Sequence, residues 1–286
     1  MKNSSQGTLY LCATPIGNLE DITYRVVRIL GEADLIAAED TRNSIKLLNH
    51  FNIKTPMTSY HEFNKIEKAV ELIEKLKGGM NIALITDAGT PGISDPGEEL
   101  VKMCYEQGIE VNALPGAVAA VCAVTSSGQA CRRFAFEAFL PKDKKDRKRV
   151  LEEMSKETRT IVMYEAPHHL KGTLDELYKA LGDRQLTLCR ELTKLHEEKL
   201  QMTLSEAIEY YKTVDPKGEY VLCIAGKSRQ EVEAEERSTW EDISIEDHFQ
   251  KYIDDGMSSK DAMKAVAKDR GLSKRDIYAV VGVKEE

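Results

Sequence analysis

The feature that most constrains the fold is a regular alternation of short apolar segments with amphipathic helical patterns. Between residues 7 and 125, strand-like segments occur at 9–13, 34–38, 57–60, 82–86 and 110–113, and helical patterns such as 65–76 lie between them. Strands that alternate with helices form a parallel sheet with helices on its faces. The sequence therefore predicts an N-terminal α/β domain over residues 1–126.

A second, similar series occupies residues 127–226. Strand-like segments at 134–140, 160–164, 186–190 and 220–225 alternate with helical patterns at 143–156, 167–181 and 204–212. The predicted fold class is therefore α/β, with two tandem α/β domains and a cleft between them. Clefts between domains are favoured ligand sites.

The last 60 or so residues differ in composition. Residues 227–239 are rich in Glu, Arg, Gln and Ser and predict a linker. Helical patterns follow at 243–254, 259–270 and 273–281, with Gly256 and Gly271 as stops and Ser258 or Ser259 and Ser273 as N-caps. This C-terminal helical module, residues 240–286, is typical both of a helix-turn-helix unit and of a small packing or dimerising bundle.

Several classes of protein are excluded or disfavoured. The longest apolar run, 117–124, has eight residues, whereas a membrane-spanning helix needs about 20. The start of the chain lacks the basic and apolar regions of a signal peptide. The six cysteines are widely spaced, without a C-x-x-C pair, as is typical of buried thiols in a reducing compartment. The sequence predicts a cytoplasmic protein that does not contact a membrane.

The strongest chemical signal is the segment 87–97, DAGTPGISDPG, which has three glycines and two prolines and directly follows an apolar strand. Such a segment forms a shaped loop. At the carboxyl end of a strand in an α/β sheet, backbone N–H groups and a helix N-terminus converge on ligands. Neither a P-loop nor a G-x-G-x-x-G motif is present, so the ligand is bound in some other way.

The charge is unevenly distributed. The net charge of −8 argues against indiscriminate binding of nucleic acid. However, residues 141–150 carry six basic and two acidic side chains. Lys142, Lys144, Lys145 and Lys148 in this run are candidates for contacts to RNA phosphates, and a solvated helix face is the alternative.

Seven segments, in this order, resemble the tetrapyrrole methylase superfamily and most closely its branch of small-subunit ribosomal RNA methyltransferases. They are 13–22 (ATPIGNLEDI), 38–42 (AEDTR), 59–62 (SYHE), 87–97, 114–116 (LPG), 164–168 (YEAPH) and 190–198 (RELTKLHEE). Phe63, Ala166 and His169 depart from the usual pattern of that branch. The resemblance implies a homodimer that binds S-adenosyl-L-methionine between two α/β domains. It also implies 2'-O-methylation of a cytidine in the decoding region of small-subunit (16S) ribosomal RNA, either as RNA alone or in the assembled small ribosomal subunit.

The resemblance also implies which residues contact the cofactor. Small and apolar side chains with free backbone amides suit adenine and a sulfonium better than a cationic phosphate cradle does. For Val118 and Ala119, core packing is the favoured interpretation on the sequence alone. No metal site is predicted. The implied cofactor contacts are Pro15, Ala88, Gly89, Thr90, Ile93, Val118, Ala119, Tyr164 and Leu192.

A ribose hydroxyl reacts well only when it is oriented and its proton is lost or shared. In the segment 190–198, Glu191 or Glu197 could accept that proton, Lys194 could stabilise the oxygen, and His196 could do either. Arg42, Arg190 and Lys194 are candidates for holding RNA phosphate. The presence of Asp40 and Arg42 is explained equally well by ion pairing and by a role in catalysis. The sequence therefore does not identify the general base. The charged candidates are Glu39, Asp40, Arg42, His61, Glu62, Glu191, Lys194, His196 and Glu197.

Two other functions remain as alternatives. A tetrapyrrole C-methyltransferase would use the same fold and cofactor, but an isolated macrocycle does not require the segment 190–198 or the basic run. A non-enzymatic adaptor that senses adenosylmethionine would bind RNA without transferring a methyl group.

Overall fold

A computed structural model describes residues 6–240 and 242–282. The first residues of the chain, on which the expectation about a signal peptide rests, lie outside this part. The chain divides into two compact units. One holds the described residues through Ser155 together with Arg159–Ala225, and the other holds Lys156–Thr158 together with the described residues from Gly226 onward.

The first sheet is parallel and has the strand order β3-β2-β4-β1-β5. The predicted alternation is confirmed, with each strand within two residues of its predicted bounds. The strands are β1 (Thr8–Leu11), β2 (Leu35–Ala38), β3 (Met57–Ser59), β4 (Ile82–Ile85) and β5 (Glu110–Ala113). The helices are α1 (Tyr24–Glu32), α2 (Thr41–His50), α3 (Lys65–Lys77), α4 (Glu98–Glu106) and α5 (Ala119–Ser126).

The second sheet has the order β6-β7-β10-β8-β9 and is mixed. Its strands are β6 (Phe134–Ala138), β7 (Thr160–Glu165), β8 (Gln185–Arg190), β9 (Glu198–Thr203) and β10 (Tyr220–Ile224). Its helices are α6 (Lys144–Lys156), α7 (Pro167–Leu181) and α8 (Leu204–Thr213).

This sheet differs from the first in two ways that the sequence did not indicate. Only β6 and β7 are parallel, and β10 runs antiparallel to both of its neighbours. Strand β9 was not predicted, because its half-exposed pattern EKLQMT resembles a charged surface segment. The short connection between β8 and β9 is too brief for a crossover helix, so the two strands form an antiparallel hairpin.

The core holds the strand ends of both sheets in place. All four residues of β4 are buried, and each fully buried Ile or Leu stabilises the fold by about 1.5–3 kcal/mol. Helix α5 follows the first sheet in the chain but packs against β7 and β10 of the second. The start of α5 is therefore fixed beside the second sheet.

The second unit is helical, with α9 (Arg229–Ser238), α10 (Ile245–Asp254), α11 (Ser259–Arg270) and α12 (Lys274–Val281). Ser258 and Ser273 cap α11 and α12 as predicted. The segment predicted as a linker contains α9, because its Glu, Arg and Gln residues favour a helix and Ser228 accepts a hydrogen bond from the Glu231 N–H. No helix in the described part of the chain is long and apolar enough to cross a membrane.

The cysteines all have free thiols. Four are buried, as expected, and Cys122 is half-buried. Cys131 is exposed and corrects that expectation, because it lies in the loop ahead of β6 and not in a strand.

Candidate active site

The segments that follow β1 and β4 are joined to each other at the carboxyl edge of the first sheet. The Thr14 N–H donates to the Gly89 carbonyl at 2.9 Å, and the Gly89 N–H donates to the Thr14 carbonyl at 3.1 Å. Thr14 Oγ1 also donates to the carbonyl of Thr86 at 3.1 Å. The predicted ligand loop, 87–97, is therefore anchored at its start.

Left-handed backbone shapes this loop. Gly89 has φ of +87° and Gly92 has φ of +84°, and both lie in a region that favours glycine. Ser94, with φ of +70°, adopts the same region without being a glycine. Thr90 Oγ1 donates to the Ala117 carbonyl at 3.0 Å and ties the loop to the segment that precedes α5.

The loop forms one wall of a cavity of about 250 Å³. The opposite wall comes from the ends of β7, β8 and β10, so the cavity lies between the two sheets, which belong to one compact unit and not to the two separate domains predicted. The lining residues that precede β6 in the chain are Ile16, Ala88, Gly89, Thr90, Ile93, Ser94, Asp95, Val118 and Ala119, of which the last two pack against the second sheet. Those that follow β6 are Phe139, Tyr164, Glu165, Ala166, Cys189, Glu191, Leu192, Lys194, Glu219, Tyr220 and Val221.

Eight of the nine residues implied as cofactor contacts line this cavity. Val118 and Ala119 are among them, although core packing was the favoured interpretation for that pair. Pro15 is the exception: it lines a second cavity of about 330 Å³, together with Asn43, Lys46 and His50. The structure thus brings together residues from four separate segments, and their role in binding stays a prediction.

Tyr164 is held in the cavity wall by its hydroxyl group. The N–H of Ala120, in the first turn of α5, donates to Tyr164 Oη at 3.2 Å. The rings of Phe136 and Phe139 lie 5.1 and 5.5 Å from the Tyr164 ring. Burial raises the pKa of Tyr164, so the phenol stays neutral at physiological pH. Its face can contact an aromatic ligand.

Glu165 lies at the base of the wall and is buried. It accepts hydrogen bonds from the Ala166 N–H at 2.8 Å and from Thr173 Oγ1 at 2.5 Å. Arg147, from the basic run, donates to Thr173 Oγ1 at 3.2 Å and pairs with Glu176. Arg147 therefore links α6 to Glu165 through Thr173, whereas the lysines of the basic run are exposed.

The turn between β8 and β9 presents an ion-paired group to the cavity. Lys194 Nζ lies 2.9 Å from both Glu191 Oε1 and Glu219 Oε2. The Glu219 N–H also donates to Glu191 Oε1 at 2.8 Å. Glu191 and Thr193 have φ of +50° and +69°, which for residues other than glycine is the kind of backbone strain that clusters at functional sites.

The pKa values of this pair follow from two opposing effects. Partial burial disfavours both charged forms, but the hydrogen bonds outweigh it. The pKa of Glu191 is therefore lowered by Lys194 and the Glu219 N–H, and the pKa of Lys194 is raised by its two carboxylate partners. Both groups are charged at neutral pH, so Lys194 can act as a fixed cation.

Two glycines allow this turn to pack closely. A Cβ on Gly17 would lie 2.4 Å from Lys194 Cγ, and one on Gly218 would lie 2.4 Å from Glu191 Cγ. Both glycines have positive φ. The segment 13–22 therefore packs directly against the Lys194 stem, which explains why a glycine follows Pro15 and Ile16.

Asp40 and Arg42 do not line either cavity among the described residues. Asp40 caps α2 by accepting from the Arg42 N–H at 2.9 Å, and its Oδ2 lies 2.7 Å from an Arg42 guanidinium nitrogen. These hydrogen bonds lower the pKa of Asp40 to about 2. The geometry favours the structural interpretation of this pair.

The remaining predicted residues lie outside the cavity. His196 is exposed on the turn after Lys194. Arg190 donates to the Lys217 carbonyl at 2.8 Å and pairs with Glu198 at 2.9 Å. The four lysines of the basic run are exposed at the start of α6 and just before it. They are Lys142, Lys144, Lys145 and Lys148.

Asp95 lies in the cavity wall within the predicted loop but was not predicted from the sequence. Burial, and then the nearby carboxylates of Glu39 and Asp87, raise the pKa of Asp95 to about 7. Burial also raises the pKa of Glu39. The only sequence signal for Asp95 is the motif ISDPG. Ser, Asp and Pro are also common in ordinary turns, so this motif alone does not indicate a functional carboxylate.

Comparisons with known proteins identify the relatives of this chain. Residues 8–208 match the family model of the tetrapyrrole (corrin/porphyrin) methylases. The chain is 50% identical over 279 residues to ribosomal RNA small subunit methyltransferase I of Halalkalibacterium halodurans, covering 98% of this chain and 96% of that protein. It is 45% identical over 282 residues to the protein of the same name from Bacillus subtilis, covering 99% of this chain and 96% of that protein.

Solved structures share the fold at low sequence identity. The uroporphyrin-III C-methyltransferase of Thermus thermophilus, in complex with S-adenosylhomocysteine, matches with a TM-score of 0.56 at 17% identity. The match covers 77% of this chain and 97% of that chain. A diphthine synthase matches with a TM-score of 0.58 at 14% identity, covering 77% and 90%.

Proposed function

The chain belongs to the tetrapyrrole methylase family and, within it, to the ribosomal RNA small subunit methyltransferase I group, and from this we propose that it methylates the ribose 2'-hydroxyl of a cytidine in the decoding region of 16S ribosomal RNA. The protein is an S-adenosylmethionine-dependent methyltransferase that acts on ribosomal RNA. The observation that carries the proposal is 50% identity over 98% of the chain. The cytidine and the ribose oxygen are the proposed part.

The first cavity fits the cofactor. Of the described residues that line it, Lys194 is the one lysine or arginine, against four carboxylates. An acidic lining of this kind suits a cationic sulfonium and not a phosphate. Ala88, Gly89 and Ala119 leave space beside the Tyr164 ring for a flat apolar group. When bound, S-adenosylmethionine supplies a methyl group that is electrophilic because it is carried by a sulfonium.

The residues of the chain would bind and orient the two reactants. The backbone of Ala88–Thr90, on the loop side of the cavity, and the start of α5, which is hydrogen-bonded to Tyr164, would hold the cofactor. Orientation of the hydroxyl toward the methyl carbon can contribute about 7–11 kcal/mol to lowering the barrier. Lys194 would stabilise the hydroxyl oxygen as charge develops, since its two carboxylate partners keep it protonated.

RNA contacts would come from exposed cations outside the cavity. Lys142, Lys144, Lys145 and Lys148 are exposed, and a row of lysines can neutralise successive phosphates. Arg190 is engaged with the Lys217 carbonyl and Glu198, so it would reach a phosphate only by exchanging these partners. The basic run is therefore the stronger candidate.

The alternatives have less support. The similarity to a uroporphyrin-III C-methyltransferase, at 17% identity, is a similarity of fold and does not indicate that the two proteins share a substrate. An adaptor without activity does not agree with the close relatives, which are named as methyltransferases. We further propose a homodimer that works in the cytoplasm, where ribosomal RNA is the substrate.

The proposal is tested by supplying the purified protein with labelled S-adenosylmethionine and either small-subunit RNA alone or assembled small subunits. Digestion of the product to nucleosides should yield labelled 2'-O-methylcytidine from at least one of the two substrates. Label on a base carbon or nitrogen would contradict the proposal. Gly89→Val protein with the same RNA is the control for transfer that does not depend on the cofactor cavity.

A further inference from the structure

Asp95 is the one carboxylate in the cavity lining that has no hydrogen bond or ion pair within the described residues. The others are engaged. Glu165 accepts from Ala166 and Thr173, whereas Glu191 and Glu219 share Lys194. An uncommitted carboxylate oxygen in a ligand cavity is available to accept a hydrogen bond from the ligand.

The residues on either side of Asp95 restrict the backbone of the loop at this position. Ser94 on one side has φ of +70°, and Pro96 on the other side is buried. A residue before proline is restricted to extended backbone. Because both neighbours restrict the backbone, the fold places Asp95 in the cavity wall.

The groups around Asp95 disfavour the ionised form of its carboxyl group. Glu39 follows β2 and Asp87 follows β4, and both carboxylates act on Asp95 through space. Glu39 accepts from the Asp87 N–H at 3.3 Å, and Asp87 accepts from Asn43 Nδ2 at 3.1 Å. From the second sheet, the Tyr164 hydroxyl is near enough to be influenced by Asp95. Lys194, across the cavity, is committed to two other carboxylates.

We propose that Asp95 is the general base that accepts the proton of the ribose hydroxyl during methyl transfer. This inference rests on the proposed function. The hydroxyl O–H bond breaks and its proton moves to an Asp95 oxygen. The hydroxyl oxygen forms its new bond to the methyl carbon, and the electron pair of the broken carbon–sulfur bond stays with sulfur. Asp95 then releases the proton to water.

The surroundings of Asp95 suit this role better than those of Glu191. A base is most effective when its pKa lies near the working pH, because it is then both ionised and able to hold a proton. Burial and the two neighbouring carboxylates raise the pKa of Asp95 to about 7. In contrast, hydrogen bonds from Lys194 and the Glu219 N–H lower the pKa of Glu191 and weaken it as a base.

The first test measures protonation without any reaction. The intact cofactor-free protein, labelled with ¹³C at the aspartate carboxyl carbon, is titrated by NMR, and the Asp95 signal is assigned by its absence in Asp95→Asn. We expect its midpoint near 7. Glu39→Gln should lower that midpoint, because one neighbouring negative charge is removed. A midpoint near the ordinary aspartate value, unaffected by Glu39→Gln, would overturn the proposal.

The second test measures the chemical step under single-turnover conditions across pH. At saturating cofactor and RNA, Asp95→Asn should lower the rate by about 10²- to 10⁴-fold and remove its rise with pH, while the Kd for RNA stays unchanged. In Glu39→Gln the rise should occur at lower pH. Asp175→Asn, an exposed aspartate on α7, is the matched control and should match wild type.

Two outcomes separate the possible failures. Ribose methylation by Asp95→Asn at the wild-type rate, or a lost affinity for the cofactor with an unchanged rate at saturation, would overturn the role of Asp95 as the base. Methylation of a base atom by the wild-type protein would instead contradict the proposed function, and the identity of the labelled nucleoside distinguishes it from the first failure.

Discussion

Gly89 is the residue at which the loop geometry is most demanding. Its φ of +87° disfavours any side chain, and a Cβ would lie 3.4 Å from Ile16 Cγ2 and 3.5 Å from the Ala117 carbonyl oxygen. A β-branched residue in this conformation costs about 1–3 kcal/mol. We expect Gly89→Val to shift the loop and weaken cofactor binding at least about tenfold, which corresponds to about 1.4 kcal/mol.

Isothermal calorimetry of the folded variant measures this effect. Gly108 has φ of +67° in the turn before β5, separated from the loop by α4, and a Cβ on it would have no neighbouring atom within 4 Å. Gly108→Val should therefore show a comparable loss of stability with normal cofactor affinity. Wild-type affinity in Gly89→Val would contradict the role of the loop.

Lys194 is the one lysine or arginine among the described residues that line the cavity, and its proposed role is to stabilise the hydroxyl oxygen. Lys194→Ala should lower the single-turnover rate by about 10²- to 10³-fold, since a fixed cation no longer opposes the charge on the oxygen. Glu191→Gln should have a smaller effect, because glutamine still accepts from the Glu219 N–H. Lys199→Ala, which removes another ion-paired lysine in the same hairpin, is the control. Equal rates in all three variants would remove this turn from the mechanism.

Asp95 also links stability to pH. Its pKa is 3.8 ordinarily and about 7 in the folded protein. Between these values the folded protein holds a proton that the unfolded chain has lost, so the free energy of unfolding falls as pH rises. Asp95→Asn should therefore be more stable than wild type at pH 8 and equal to it near pH 4. The limit is about 4 kcal/mol, reduced by partial solvent exposure.

Urea unfolding of both proteins at these two pH values measures the difference. The cofactor must be absent, because a ligand would stabilise the two proteins unequally. Asp175→Asn should show no such dependence on pH. If the difference between Asp95→Asn and wild type does not change with pH, the carboxyl group is not held protonated in the folded protein.

At the scale of single residues, the sequence indicated those whose role is visible in the pattern of their own segment. The loop 87–97 was predicted because glycine and proline density is visible in a single segment, and the contacts of Gly89 and Thr90 were implied by the resemblance. Asp95 lies in the same segment but was missed, since its chemistry comes from burial in the cavity wall and from Glu39, which follows another strand, as well as from Asp87 at the start of the loop. A group perturbed by long-range neighbours leaves no mark in its own segment.

At the scale of elements, α6 offers the clearest test of RNA contact. Three exposed lysines, Lys144, Lys145 and Lys148, lie in its first two turns, and only Lys148 has an ion pair there, with Glu152 at 3.7 Å. Changing all three to Glu should weaken RNA binding and reduce its salt slope by about 0.7 per lost phosphate contact. Cofactor affinity should not change.

The control for this variant changes three lysines on α3 to glutamate. Lys68, Lys75 and Lys77 on α3 pair with glutamates of their own helix. Their reversal changes the net charge equally, so it measures the effect of overall charge on RNA affinity. A salt slope that is the same in both triple variants would mean that the α6 lysines form only a solvated helix face.

Secondary structure was predictable where periodicity is simple. The first sheet follows from buried strands that alternate with amphipathic helices, and α6, α7 and α8 lie within one residue of prediction at each end. The antiparallel pairing of the second sheet was not predictable, because β9 is an edge strand whose half-exposed residues lack a clear apolar pattern. The strand order of the second sheet depends on contacts between strands that are distant in the sequence.

At the scale of the whole molecule, the cavity is a product of chain topology. Its two walls come from the carboxyl edge of one sheet and from strand ends of another, and α5 follows the first sheet while packing on the second. Composition and periodicity predicted the two α/β series. The cofactor and substrate came from the resemblance and from relatives that cover nearly the whole chain.

The most direct test of the central claim is a map of ribose methylation in small-subunit ribosomal RNA from cells with the protein, cells without it, and cells without it that carry a restored copy. We expect one cytidine in the decoding region whose 2'-O-methyl group is present in the first, absent in the second and present again in the third. Unchanged ribose methylation in all three, or a change confined to base methylation, would contradict the claim.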